Sequence, residues 1–333
     1  MRAAIWEQPG ELRIGERDDP VPGPGELVVK VAACGLCGTD LHIADGEFPP
    51  APYPLVPGHE FAGEVVAVGP STDGWVEGAR VAVDPSLFCG HCEYCRAGRG
   101  NLCANWNAIG DTVDGAFAEY VRVPAANAYG LPDGLGFRAG ALIEPLSCAV
   151  RGMHRLAVRP GESALVVGAG TMGLILQQLI LRAGATRVAV IDTNERKLGL
   201  AERLGADAVA TSADDLDGFH VAVDATGAPA AIEAAFGALR RGGRLLVFGV
   251  AHADARVSLS PFRIYNDELT VLGSMAVLHS FGPAVELMAA GAIDAKAMLT
   301  HEFPLDGFGD ALATVRRGEG VKSQVLPNGQ AKT

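Results

Sequence analysis

The stretch Ser163–Gly184, SALVVGAGTMGLILQQLILRAG, decides how this chain folds. SALVVGAG reads as a strand running into a turn, and TMGLILQQLILRAG as a helix ended by Gly184. The turn carries Gly168-x-Gly170-x-x-Gly173. Alone that pattern is weak, but here it follows a strand and opens a helix, which is the context a dinucleotide site requires. Gly168 permits the tight turn, Gly170 the close approach of a pyrophosphate, and Gly173 close helix–strand packing. Thr171 and Met172 complete the segment at the helix start, where free N–H groups can meet phosphates. The competing reading is a glycine-rich turn that binds nothing. Asp192 speaks against it, because it ends the next strand, RVAVID, 24 residues after Gly168. A carboxylate there can accept hydrogen bonds from both hydroxyls of an adenine ribose, and it repels a 2′-phosphate. NAD is therefore expected over NADP. Arg196 and Lys197 pull the other way if they reach a phosphate, and otherwise decorate a helix.

The same texture continues outward. Beyond residue 146, ERKLGLAERLG and AAIEAAFGALRRGG read as helices, and HVAVDATG, RLLVFGV and ELTVLGS as strands. Strands alternating with helices imply an α/β, doubly wound parallel sheet. The first 145 residues differ: short β-rich runs such as ELVVKVAACG and GEVVAVG are separated by proline-rich loops at 21–26 and 47–58. After about residue 276, FGPAVELMAAG and GFGDALATVRRGEG read as helices with a strand, THEFPL, between them.

Composition narrows the function. The 333 residues are 49% hydrophobic and 20% charged, an ordinary globular balance, and about two domains are expected at this length. A net charge of −12 argues against nucleic-acid or anionic-membrane partners. The opening MRAAIWEQPG lacks the features of a secretory signal, and no apolar run is long enough to span a bilayer, so the cytoplasm is the expected compartment.

Four of the seven cysteines then call for a reason. CGHCEYCRAGRGNLC places Cys89, Cys92, Cys95 and Cys103 in fifteen residues. A disulfide framework suits neither a reducing compartment nor a chain this long. Four thiolates can instead close a tetrahedron around zinc with no open position, a structural site. An iron–sulfur cluster is the rival, although ferredoxin-type spacings differ. His91 reads as a surface residue. Cys34 and Cys148 read as core.

A second constellation lies in CGLCGTDLHI, PGHEFAGEVVAVG and ALIEPLSCAV, which supply Cys37, His59, Glu60 and Glu144. Each has a bland reading alone: a core thiol, a loop histidine, a surface acid, a salt-bridged glutamate. Together they offer a thiolate, an imidazole and carboxylates, and three protein ligands plus water is the open arrangement of catalytic zinc.

In these motifs, taken in their order along nearly the whole chain, the sequence resembles the zinc-dependent medium-chain dehydrogenase/reductase family. The resemblance implies a GroES-like, mainly β catalytic domain (1–146 plus 277–333, with the zinc lobe at 89–103) into which a Rossmann coenzyme domain (147–276) is inserted, the active site lying in the cleft between them. It implies Cys37, His59 and Glu60 as catalytic-zinc ligands, with Glu144 bound directly or through water. Asp40 would orient His59, Thr39 would contact the substrate oxygen, and His42 would end a proton relay running through the nicotinamide ribose. The implied reaction is hydride transfer from a secondary alcohol to NAD. The sorbitol, xylitol and arabinitol enzymes point to a polyol oxidised to a ketose, acting as a homodimer or homotetramer. Several sorbitol-type enzymes place an arginine just after the last coenzyme-domain strand, where this chain has Met275 in LTVLGSMAV. A vicinal diol, a simple secondary alcohol or threonine therefore stays open as substrate. A zinc-free quinone or enone reductase is opposed by the ligand residues, and a noncatalytic zinc- or nucleotide-binding protein is the non-enzyme alternative.

Overall fold

The computed structural model describes residues 1–48, 51–214 and 216–329. Pro49 and Pro50 of the second proline-rich loop, and residues 330–333 of the expected catalytic domain, lie outside the described residues. The chain forms two compact units. One holds Met1–Pro145, Val277–Ala290 and the described residues from Ala295 onward; the other holds Leu146–Ala276 with Gly291–Asp294. The sequence reading gave 277–333 wholly to the first. The turn Gly291–Asp294 belongs to the second because Gln178 and Arg182, on the helix Thr171–Arg182, hold it. Gln178 Oε1 accepts from Asp294 N at 2.8 Å, and Arg182 Nε donates to Ala292 O at 3.0 Å.

The second unit is a six-stranded parallel sheet. Its spatial order is Ala208–Ala210, Arg187–Ile191, Ser163–Val167, Phe219–Asp224, Leu239–Val247 and Thr270–Gly273. The chain winds outward in one direction from Ser163–Val167 and then in the other from Phe219–Asp224, so the glycine turn after Val167 sits at the switch point where such sheets bind ligands. Every residue of Ser163–Val167 is buried, as a central parallel strand covered on both faces must be. One element is shorter than its sequence suggests. The helix Pro229–Gly237 stops before ALRRGG, and the strand Leu239–Val247 takes up those residues. Glycine is a poor helix former, and Gly242 has φ +73°, which ends any helical continuation.

The first unit is built on a seven-stranded mixed sheet. The strand Glu26–Gly35 runs through its middle, flanked by Glu60–Val68, Tyr120–Pro124 and the C-terminal Lys322–Leu326. Its core gathers Val29, Val31, Phe61, Val65 and Phe117 with Phe308 and Val325 from the end of the chain. Phe117 and Phe308 pack with tilted rings, centroids 4.7 Å apart. The C-terminal strand pairs antiparallel with Glu26–Gly35, Gln324 opposite Gly35 and Val325 opposite Cys34, which brings Lys322 to the end of the N-terminal strands.

Candidate active site

Sheet register assembles the first cluster. Gly35 ends one strand opposite Glu60, which begins its neighbour. Immediately beyond Gly35 the chain turns into the helix Gly38–Asp45, with Cys37 as its N-cap. Cys37 Sγ accepts from Thr39 N at 3.3 Å, and Asp40 Oδ2 accepts from Cys37 N at 2.9 Å. The donor atoms of Cys37, His59 and Glu60 all lie within 4.8 Å of one another. Cys37 Sγ and His59 Nε2 are 3.1 Å apart. A tetrahedral zinc with ordinary Zn–S and Zn–N bonds sets sulfur and nitrogen roughly 3.6 Å apart, so a small opening of the two side chains accommodates the ion. The donor set is the right one for zinc.

One expectation changes. Asp40 does not hold the imidazole: its carboxylate caps the helix at Cys37, whereas His59 Nδ1 faces Asp111 Oδ1 at 3.0 Å. Asp111 is therefore the residue that orients His59 Nε2 toward the cluster. Glu144 is buried in the first turn of the helix Ile143–Leu156 but lies outside the three-residue group. Sequence reasoning also missed Lys322, a buried ammonium paired with Glu60. In the run GVKSQVL nothing distinguishes it from a surface lysine.

The electrostatics are those of a cation site. Burial pushes the Cys37 thiol up from its ordinary value and the Asp40 carboxyl up to about 6. Burial works against a charged imidazole at His59, but Cys37 and Asp111 outweigh it and hold the proton well above the usual histidine range. A divalent ion would supply the missing positive charge and displace the protons of Cys37 and His59. Thr39 sits one turn from the thiol, partly exposed. His42 follows on the same helix with its side chain 43% exposed, and its Nδ1 is 3.0 Å from Glu47 Oε2.

The four-cysteine lobe comes together as its spacing predicts. Cys89 and Cys95 have sulfurs 4.0 Å apart, and Cys92 and Cys103 3.9 Å apart. All seven cysteines are free, so the disulfide reading fails. Four thiolates around zinc stand about 3.8 Å from each other, close to what is seen. Backbone N–H groups of His91 and Cys92 bring the Cys89 thiol down to about 5, while burial and neighbouring sulfurs push Cys95 up to about 12. A cation would favour the thiolate form of the four over the thiol. His91 is exposed and turns its Nδ1 to Cys89 O at 2.7 Å, apart from the sulfurs.

At the glycine turn, Gly168 has φ +107°, and a side chain there would strike Thr226 Cγ2 at 2.7 Å. A side chain on Gly173 would collide with the carbonyl of Gly168. Gly170 caps the helix Thr171–Arg182 with no side-chain hydrogen bond, and the first turn of a helix is where backbone N–H groups can meet a phosphate. Asp192 is committed on both oxygens: Oδ2 accepts from Ala169 N at 2.7 Å and Oδ1 from Asn194 N at 2.8 Å. Arg196 is exposed and Lys197 half-buried at the start of the helix Glu195–Arg203.

The chain is similar to known proteins. Residues 23–133 match the alcohol dehydrogenase GroES-like domain, and residues 171–290 match the zinc-binding dehydrogenase domain. D-arabinitol dehydrogenase 1 of Uromyces fabae is 36% identical over 98% of this chain and 97% of its own length. A structure of a zinc-binding dehydrogenase from Sinorhizobium meliloti 1021, bound to NADP, superposes with a TM-score of 0.94 at 35% identity, covering 98% of this chain and 99% of that one. An alcohol dehydrogenase from Escherichia coli CFT073 complexed with NADH gives a TM-score of 0.90 at 30% identity, covering 98% and 99%. With a GroES-like unit, a Rossmann sheet, a closed thiolate cluster and an open mixed-ligand cluster in one chain, this protein belongs to the zinc-type medium-chain dehydrogenase family.

Proposed function

We propose that the chain is an NAD-dependent dehydrogenase of secondary alcohols, with a polyol as substrate and a ketose as product. The observation that carries this reading is the cluster of Cys37, His59 and Glu60, three donors of different type, with the backbone N–H of Thr39 on the Cys37 thiol. In that site a zinc ion would supply Lewis acidity that lowers the pKa of an alcohol hydroxyl. The second zinc would be held by Cys89, Cys92, Cys95 and Cys103. Asp111 fixes the ring of His59 so that Nε2 faces the other donors. Thr39 would take the substrate hydroxyl proton and hand it on toward His42, whose Nδ1 stands 3.0 Å from Glu47 Oε2. A bound nicotinamide nucleotide would supply the hydride acceptor, so that alcohol and NAD⁺ would become ketone, NADH and one proton.

Support for a polyol is the arabinitol relative, 36% identical over 98% of this chain. The preference for NAD rests on Asp192 at the end of the second strand. The strand Thr270–Gly273 forms a sheet edge whose Val271 is 41% exposed, with Phe262 and Tyr265 exposed nearby in sequence. We read that edge as the place where a second copy extends the sheet, and light scattering at the mass of one chain would remove that part. The main test is NADH formation across polyols, vicinal diols, simple secondary alcohols and threonine. Turnover restricted to simple alcohols would overturn the polyol assignment.

A further inference from the structure

The mechanism leaves one buried charged group unused. Lys322 opens the last strand of the first unit, with its side chain only 1% exposed, and it is paired with Glu60, whose side chain is 3% exposed. Its Nζ also donates to Leu36 O at 2.7 Å, the carbonyl immediately before Cys37. Gly35 makes the room. A methyl group there would meet Lys322 Cε at 2.7 Å and Glu60 Cβ at 3.3 Å. The placement is a product of register, because Gly35 faces Glu60 on one side and Gln324 of the lysine's own strand on the other.

We propose that Lys322 is a positioning residue of the open metal site, an internal counterion that holds Glu60 in the metal-free protein and competes with the metal for it. This rests on the metal reading of Cys37, His59 and Glu60. A buried carboxylate without a partner is costly, and breaking a buried pair by removing one member leaves that cost in full. Before metal arrives, Lys322 is the cation that meets the Glu60 carboxylate. Once a dication is bound, Glu60 has a second source of positive charge and its dependence on the lysine falls. The lysine thus stabilises the empty site more than the filled one, and by linkage it weakens metal binding by the same factor. A catalytic ion that must keep its coordination exchangeable gains from a third ligand held back in this way.

The test uses the full chain, zinc-loaded and chelator-stripped, with thermal unfolding and zinc affinity by competition with a chromophoric chelator as readouts. The Cys37→Ser variant identifies the lobe's contribution. Lys322→Met is expected to lower the melting temperature of the stripped protein more than that of the loaded one, and to tighten zinc at the open site tenfold or more. Adding Glu60→Gln to Lys322→Met should restore the stripped protein's stability and drop zinc affinity below wild type, while Lys322→Arg should stay within twofold of wild type. Equal destabilisation of both forms with affinity within twofold, or weaker zinc in Lys322→Met, makes Lys322 a structural prop and overturns the proposal. So does failure of both Lys322→Met and the double variant to fold even with zinc. A Lys322→Met chain that folds only with zinc supports it. A wild-type chain whose zinc content is indifferent to Cys37→Ser would instead overturn the metal reading itself.

Discussion

Asp192 makes contacts that its place in the sequence does not announce. Position and spacing mark it as a ribose acceptor, yet its oxygens also fix the glycine turn through Ala169 N and the start of the next helix through Asn194 N. Each carboxylate oxygen keeps lone-pair capacity for a ribose hydroxyl. Wild-type discrimination for NAD over NADP is expected at a hundredfold or more in kcat/KM, roughly 2.7 kcal/mol, within the range of two hydrogen bonds to a charged group. Asp192→Ala should then do more than admit NADP. It leaves Ala169 N without its acceptor and loosens the turn both cofactors need, so efficiency with NAD should fall without NADP reaching the wild-type NAD level. Asp192→Asn keeps an acceptor for Ala169 N while removing the charge, and should raise NADP efficiency above that of Asp192→Ala. Steady-state kinetics with both nucleotides decide this, and equal efficiency in the unmodified protein would mean that Asp192 does not read the ribose. His42 has a partner the sequence did not announce, Glu47 at 3.0 Å. A positioned acid–base group contributes ~10²–10⁴-fold, and an exposed relay end belongs at or below the low limit. His42→Ala should slow alcohol oxidation most at neutral pH and below, and a pH–rate profile that does not move would remove His42 from the relay.

Two clusters in this chain could hold a metal, and they should answer mutation differently because their architecture differs. The lobe at 89–103 is stitched by its own ligands: only a four-residue helix, Glu93–Arg96, and a single three-residue turn at Gly100–Leu102 lie inside it. Cys95→Ser should therefore cost stability and soluble yield and release one zinc ion per chain. Cys37 stands between an interior strand and a helix held by the unit's core, so Cys37→Ser should release the other zinc, abolish turnover and leave NAD binding largely intact. Metal analysis and nucleotide titration on both variants check the pair, and wild-type activity in Cys37→Ser would sink the catalytic assignment. The same contrast explains what could be read from sequence. The lobe, the glycine turn and the Cys37–Asp40 segment are local, with ligands and turn residues set by spacing. His59 and Glu60 are adjacent and entered with them. Asp111 and Lys322 act at residues more than fifty positions away, brought there by a loop and by strand register, and a lone acid or lysine gives no hint of that. Asp40 went to the wrong partner for a related reason. Its backbone-capping role at Cys37 is short-range geometry, and it competes directly with a long-range role at His59.

At the scale of the whole chain, each of the two units has its own core and its own ligand, so ligand occupancy should be written into local stability unit by unit. A ligand that binds only the folded form stabilises it by about 2.7 kcal/mol at a hundredfold excess over its dissociation constant. In hydrogen exchange, saturating NAD should slow residues 163–173 and 187–197, which hold the glycine turn and Asp192, and chelation should quicken residues 35–46 and 86–108, which hold Cys37 and the lobe. The metal half of this response carries a pH dependence of known sign. In the metal-free protein the proton on His59 is held well above the ordinary histidine value and the Cys37 thiol is also raised, so zinc entry must expel protons from both. Zinc affinity at the open site should accordingly fall as pH falls, and it should keep rising with pH through the raised pKa of His59 before its steepness eases. Chelator competition at a series of pH values reads this directly. Affinity independent of pH across the neutral range would mean that neither group gives up a proton to the ion, and Cys37 and His59 would then not be its ligands.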